Sequence, residues 1–134
     1  MFNDQPKRIL FVCVENSNRS QMAEAFTKIH GDERFTADSA GSRPSGKINP
    51  RAVESMKELG YDLSQHRSKS LDDVKENKYD AVVTMGCGDA CPNIPADRRE
   101  DWQIPDPREM NPDQFRSVRD LIAGKVKVLL ESFD

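Results

Sequence analysis

Hydrophobic and polar positions along the chain fall into short apolar runs separated by longer helical stripes. Arg8 to Val12 (RILFV) is a continuous apolar run, the pattern of a strand buried on both faces. From Ser20 to about His30, the positions Met22, Ala23, Ala25, Phe26 and Ile29 fall on one helical stripe. Phe35 to Ser39 reads as a second, short strand that runs into the turn-rich stretch SAGSRPSGKINP. Pro50 behind Asn49 as cap marks a helix start, with Ala52, Val53, Met56 and Leu59 as core face and Gly60 as stop. Leu71 to Val74 is predicted as one short helix and Tyr79 to Met85 (YDAVVTM) as a β-branched strand of buried character. Trp102 to Ile104 is predicted as a short edge strand, and Asp113 to about Phe133 as a long C-terminal helix.

Strands alternating with helices imply one α/β domain over residues 1–134, with a four-stranded, mostly parallel sheet flanked by helices. A chain of 134 residues is long enough to bury one proper core. In such sheets ligands bind beyond the carboxyl ends of the strands, near a point where strand order reverses. Cys13 follows the first strand and Cys87 the YDAVVTM strand, so the two are expected to share one site.

Charge and cysteine content narrow the chemistry. A formal charge of −3 argues against a nucleic-acid partner, which calls for a basic face. No stretch approaches the roughly 20 apolar residues that span a bilayer, and the N-terminus lacks a charged-then-apolar signal pattern. The expectation is a cytoplasmic monomer without a membrane partner. Three cysteines in a reducing compartment point to thiol chemistry rather than a disulfide framework.

The stretch FVCVENSNRSQMAEAF concentrates that chemistry. A strand feeding a helix through a short loop aims backbone N–H groups, with the positive end of the helix dipole, at whatever lies over the helix start. Val14, Glu15, Asn16, Ser17 and Asn18 would line an oxyanion with their backbone, and Arg19 would add a planar fork matched to a tetrahedral oxyanion. The same field favours the thiolate of Cys13, the nucleophilic form. Ser20 is placed to donate its hydroxyl to that thiolate or to cap the helix. The loop has no glycine, so Asn16 is expected to take the left-handed conformation. Glu15 is expected to turn its carboxylate away from the anion.

Cys13-x5-Arg19-Ser20 followed by QMAEAF resembles the low-molecular-weight protein tyrosine phosphatase family, in particular its arsenate reductase branch. The likeness extends through SAG at 39–41, NPRAVESMKELGYDLS at 49–64, YDAVVTM at 79–85, CGDAC at 87–91 and Asp106-Pro107. It implies that family's fold, with the anion loop after the first strand. It also implies a relay in which Cys13 attacks the arsenic of bound arsenate, Cys87 attacks Cys13 as arsenite leaves, and Cys91 then attacks Cys87. The resulting Cys87–Cys91 disulfide is reduced by an external thioredoxin, glutaredoxin or glutathione. Phosphate and sulfate, tetrahedral anions like arsenate, are expected to compete. Asp106 takes the family's general-acid position, held extended by the following proline. The resemblance further implies a potassium ion held by Asn16, Glu24 and Ser39, although Lys69 stands where a further carboxylate is expected.

The residues themselves bear on these implications. A dithiol supplies the two electrons that arsenate reduction needs, whereas phosphate-ester hydrolysis needs Cys13 alone. In a helical segment Cys87 and Cys91 would lie roughly 6 Å apart, within disulfide range, with Gly86 and Gly88 as hinges. Three cysteines with His30 and His66 make no convincing zinc set. Arg108 in place of the phosphatases' tyrosine, and Gln21 in place of their proline, disfavour the phosphatase branch. Trp102 is expected to pack in the core or against the Asp106 loop. The alternatives are a protein tyrosine phosphatase and a non-catalytic oxyanion-binding or redox-sensing module.

Overall fold

In a computed structural model of the protein, which describes residues 5–74, 76–86 and 94–133, the apolar run near the N-terminus forms the inner strand β1, Lys7–Cys13. Helix α1 (Arg19–His30), strand β2 (Phe35–Gly41), helix α2 (Pro50–Lys57), strands β3 (Tyr79–Thr84) and β4 (Ala96–Asp101), and helix α3 (Pro112–Glu131) follow in order. The strand order is β2-β1-β3-β4, and every pairing is parallel. The chain leaves β1 on one side to reach β2 and later crosses to the other side for β3. The carboxyl ends of β1 and β3 therefore flank a topological switch point.

Alternation along β1 divides the core into two layers. Ile9, Phe11 and Cys13 face the larger layer, built with Met22, Ala23 and Phe26 of α1, Met56 of α2, and Phe115, Ile122 and Val126 of α3. Leu10 and Val12 face a smaller layer with Ala40, Val74, Tyr79, Val82 and Ile94. The long helix starts behind a capping box in which Asn111 and Gln114 satisfy each other's backbone amides, with Pro112 at the first helical position. Glu58, just beyond α2, accepts from both Arg116 and Arg119 and so ties α2 to α3.

Four expectations need correction. The edge strand is Ala96–Asp101 (ADRRED), not Trp102–Ile104. Its half-buried positions alternate with exposed charges, a pattern an edge strand tolerates because its long side chains reach water. The Trp102 amide still bonds the Thr84 carbonyl, but its indole turns inward onto Phe11, with ring centroids 5.9 Å apart. Helix α2 stops at Lys57, so Leu59 falls outside it and is exposed, while Gly60 takes a positive φ of 82°. Ile29, in the last turn of α1, is also exposed. Leu71–Asp73 is a single 3-10 turn, closed by the Ser70 and Asp73 side chains. The expected helical pairing of Cys87 with Cys91, and the Gly88 hinge, lie outside the described residues.

Phe11 is fully buried at the junction of β1 and Trp102. Replacing it with alanine should lower the unfolding free energy by about 3–5 kcal/mol, read as a shifted urea midpoint at unchanged slope.

Candidate functional site

The loop from Cys13 to Arg19 is turned by Asn16, which takes a φ of 52° and is fully buried. Its side chain secures the turn from three sides. Nδ2 donates to the Ser20 hydroxyl at 2.8 Å, while Oδ1 accepts from the Lys69 amide at 2.7 Å and from Gln21 Nε2 at 2.9 Å. With an acceptor site of the Ser20 hydroxyl occupied by Asn16, its proton is free to point at Cys13 Sγ, 2.8 Å away. Ser20 therefore serves the thiol and not the helix start. Asn18 is the N-cap residue, and its side chain makes no capping bond.

The orientation of the loop's peptides follows from its carbonyls. Those of Cys13, Val14, Glu15 and Ser17 accept from the amides of Ser42, Arg43, Ser45 and Asn49 in the facing turn. Because each peptide is planar, the amides of Val14, Glu15, Asn16 and Asn18 must point the other way, into the loop. Among the described residues, none of these four amides has a protein acceptor. Such a set of free donors at a helix start attracts an anion. Gly41 permits the close approach: a Cβ there would lie 2.4 Å from the Val14 carbonyl oxygen.

Over the loop lies a cavity of about 300 Å³ lined by Cys13, Val14, Glu15, Ser17, Asn18, Arg19, Gly86, Asp106 and Arg108. Cys13 is buried at the end of β1. Arg19 donates from Nη1 to the Ile104 carbonyl at 3.0 Å, and its Nη2 lies 3.9 Å from Asp106 Oδ2. Asp106 Oδ1 accepts from the Arg108 amide at 3.0 Å, and the Asp106 side chain is half exposed above the loop. Glu15 remains at the cavity, its carboxylate held at the rim by Arg108 at 2.7 Å. The Asn16 side chain points beneath the loop, to Ser20, Gln21 and Lys69, rather than into the cavity. The structure thus gathers Cys13, Arg19, Ser20 and Asp106, whereas Cys87 and Cys91 lie outside the described residues.

Behind the loop stands a buried polar cluster that sequence reasoning missed. Gln21 Nε2 also donates to the carbonyls of Asn16 and Arg67, and Gln21 Oε1 faces His66 Nδ1 at 3.0 Å. The Tyr61 hydroxyl meets His66 Nε2 at 2.7 Å, so the imidazole is bonded at both nitrogens. Burial pushes the His66 pKa below its ordinary value, against the pull of Glu24. Only the odd choice of Gln21 beside Arg19-Ser20 signalled this cluster in the sequence.

The three oxygens expected around potassium are already engaged. Ser39 Oγ donates to Glu24 Oε1 at 2.6 Å, Lys28 Nζ sits 2.8 Å from Glu24 Oε2, and Lys69 Nζ approaches Oε1 at 3.8 Å. Asn16 Oδ1 is taken by Gln21 and Lys69. Burial opposes the charge on Glu24, but His66, Lys28, Ser39 and Lys69 together hold its carboxyl below the ordinary range. The donor set of Asn16, Glu24 and Ser39 does not fit a further cation, because ammonium groups already meet the carboxylate's charge. Among the described residues, no group of three or more His, Cys, Asp or Glu is arranged to hold a metal ion.

Residues 8–134 match the family described as low molecular weight phosphotyrosine protein phosphatase. The chain is 42% identical over 132 residues to arsenate reductase 2 of Staphylococcus haemolyticus, covering 95% of each. It is 35% identical over 127 residues to the glutaredoxin arsenate reductase of Synechocystis, covering 92% of this chain and 96% of that protein. Among solved structures, an arsenate reductase in the phosphate binding state superposes with a TM-score of 0.86 at 34% identity, covering 96% of this chain and 99% of that one.

Two outcomes test this geometry. Gly86 has a φ of 87°, and a Cβ there would lie 2.5 Å from Arg19 Nη1. Gly86→Ala should lower stability by about 1 kcal/mol and weaken inorganic phosphate binding about tenfold, measured as protection of Cys13 from iodoacetamide. Wild-type protection would remove Arg19 from the anion site.

For His66, the folded state disfavours the proton, so the unfolded chain protonates first as pH falls below the ordinary value of 6.5. The stability present above that pH is then lost progressively until the folded group also titrates. The thermal midpoint should fall between about pH 7 and pH 5.5, and fall less in His66→Gln. Equal slopes in the two proteins would contradict the assignment.

Proposed function

Since the chain belongs to the low-molecular-weight phosphotyrosine protein phosphatase family, in its arsenate reductase branch, we propose that it reduces arsenate to arsenite by a three-cysteine relay. The observation that carries the reading is the Cys13 thiol at a turn of free amides, with the Ser20 hydroxyl on its sulfur and Arg19 beside it. The Ser20 hydroxyl is placed to donate to the attacking sulfur. The amides of Val14, Glu15, Asn16 and Asn18 and the Arg19 guanidinium hold the oxyanion, with Ser17 completing the loop.

In the first step Cys13 sulfur bonds to arsenic, and an arsenic oxygen leaves as water with a proton from Asp106. Cys87 thiolate then attacks Cys13 sulfur. The electron pair of the sulfur–arsenic bond passes to arsenic, which leaves as arsenite, and a Cys13–Cys87 disulfide remains. Cys91 thiolate attacks Cys87, releasing Cys13 as thiolate and leaving Cys87–Cys91 oxidised. An external dithiol or glutathione, delivered by a thioredoxin or glutaredoxin in the cytoplasm, reduces that disulfide and closes the cycle. The glutaredoxin named in the Synechocystis relative supports a donor of this class.

Phosphate-ester hydrolysis is the second reading. The family name favours it, and it needs only Cys13, Arg19 and Asp106. Against it, the described cavity lining contains no aromatic side chain to receive a phosphotyrosine ring.

Disulfide mapping by mass spectrometry separates the two. Reduced protein treated with arsenate should yield Cys87–Cys91, and Cys91→Ser should accumulate Cys13–Cys87. Cys87→Ser should release no arsenite yet still hydrolyse a small aryl phosphate. Wild-type arsenate turnover in both serine variants would replace the reductase reading with the phosphatase one.

A further inference from the structure

An ion pair at the cavity rim is left unused by the relay. Arg108 Nη1 donates to Glu15 Oε2 at 2.7 Å, joining residues 93 positions apart. Glu15 belongs to the anion loop and Arg108 to the segment carrying Asp106, and both line the cavity over Cys13. Their side chains are 38% and 55% exposed, so the pair adds little to stability. Its position matters for what enters. We propose that Arg108 and Glu15 form a specificity element that admits compact inorganic oxyanions and excludes phosphate esters, a role that rests on the oxyanion reading of this site.

Three observations carry the argument. First, a carboxylate on an anion-binding loop opposes its ligand, and Arg108 cancels that charge at contact distance. The inward amides and Arg19 are then left to set the potential at Cys13. Second, the Arg108 backbone amide also donates to Asp106 Oδ1. The residue that closes the rim thus orients the carboxyl that protonates the leaving oxygen. Third, in-line attack by Cys13 sends the leaving group away from the loop and towards Asp106. A free tetrahedral anion carries only an oxygen there. An ester carries its whole alcohol, which must pass the rim where the Arg108–Glu15 pair lies. Among the described lining residues, no aromatic side chain rewards that passage.

The same pairing explains how the anion loop accommodates Glu15 at all. The acid and the base compensate each other, so losing one has consequences that losing both does not.

The test is a double-mutant cycle of Arg108→Met and Glu15→Gln with two readouts: protection of Cys13 from iodoacetamide by inorganic phosphate, and hydrolysis of p-nitrophenyl phosphate. Arg108→Met alone bares Glu15 and should weaken phosphate protection roughly five- to tenfold, less so at high salt. Glu15→Gln alone should tighten phosphate binding. The double variant should recover most of the loss and hydrolyse p-nitrophenyl phosphate with a KM at least about threefold below wild type. Equal phosphate losses in Arg108→Met and the double variant, or an aryl phosphate KM unmoved by opening the rim, would overturn the proposal. So would a large fall in thermal midpoint in either single variant, which would make the pair structural. Neither readout depends on Cys87, Cys91 or arsenate turnover, so failure of the relay leaves this test intact.

Discussion

The site depends on one residue held in an uncommon backbone conformation. Asn16 turns a glycine-free loop through a positive φ, and its side-chain amide then bonds Ser20, Gln21 and the Lys69 backbone at once. Each bond has a separate result. Ser20 is oriented towards the thiol, the helix start is fixed to the loop, and the segment around Lys69 is pulled against it. Glycine would reach the same φ more easily but would supply none of these bonds. The backbone strain is offset by a buried side-chain amide bonded at both its oxygen and its nitrogen, which fixes the loop after Cys13 from beneath.

Electrostatics divide between the two sides of this loop. In front, free amides and Arg19 leave the cavity receptive to an anion, and the rim acid is neutralised by Arg108. Behind, Glu24 carries a buried negative charge ringed by Lys28, Lys69, Ser39 and His66. Two ammonium groups from the chain itself thus meet the carboxylate's charge. Removing either partner of a buried charge is more damaging than removing both, so the rear cluster behaves as one unit.

Much of this was legible in the sequence because it is local. RILFV, the Cys13-x5-Arg19-Ser20 spacing and the helical stripe after it lie within some twenty residues, and each obeys a periodicity or a motif. The left-handed Asn16 was legible because asparagine tolerates that conformation better than the other residue types in VENSN, whose second asparagine, Asn18, stands at the N-cap position of the helix instead. What escaped reading was non-local or amphipathic. ADRRED carries no apolar run, since an edge strand half-buried by alternating long side chains looks like a polar loop, whereas the apolar WQI looked like a strand and is a core plug. Glu15 and Arg108 were each conspicuous, but nothing in the chain says that residues 93 apart will touch. His66 and Tyr61 joined the site through Gln21, whose role appears only once the loops after β1 and α2 are brought together. The three oxygens assigned to potassium followed from resemblance, and the neighbouring lysines changed what they bind.

The all-parallel order β2-β1-β3-β4 has a kinetic consequence. Parallel neighbours cannot be joined by a hairpin, so β1 pairs with β2 across a whole helix and with β3 across some seventy residues, as in Ile9 with Ala81. Contacts of such high sequence separation form late, after the loop-closure entropy has been met. The anion cradle draws on Cys13, Gly41, Lys69, Gly86 and Ile104, so no half-folded chain contains it. A newly made molecule therefore acquires the cradle around Cys13 only when folding is complete.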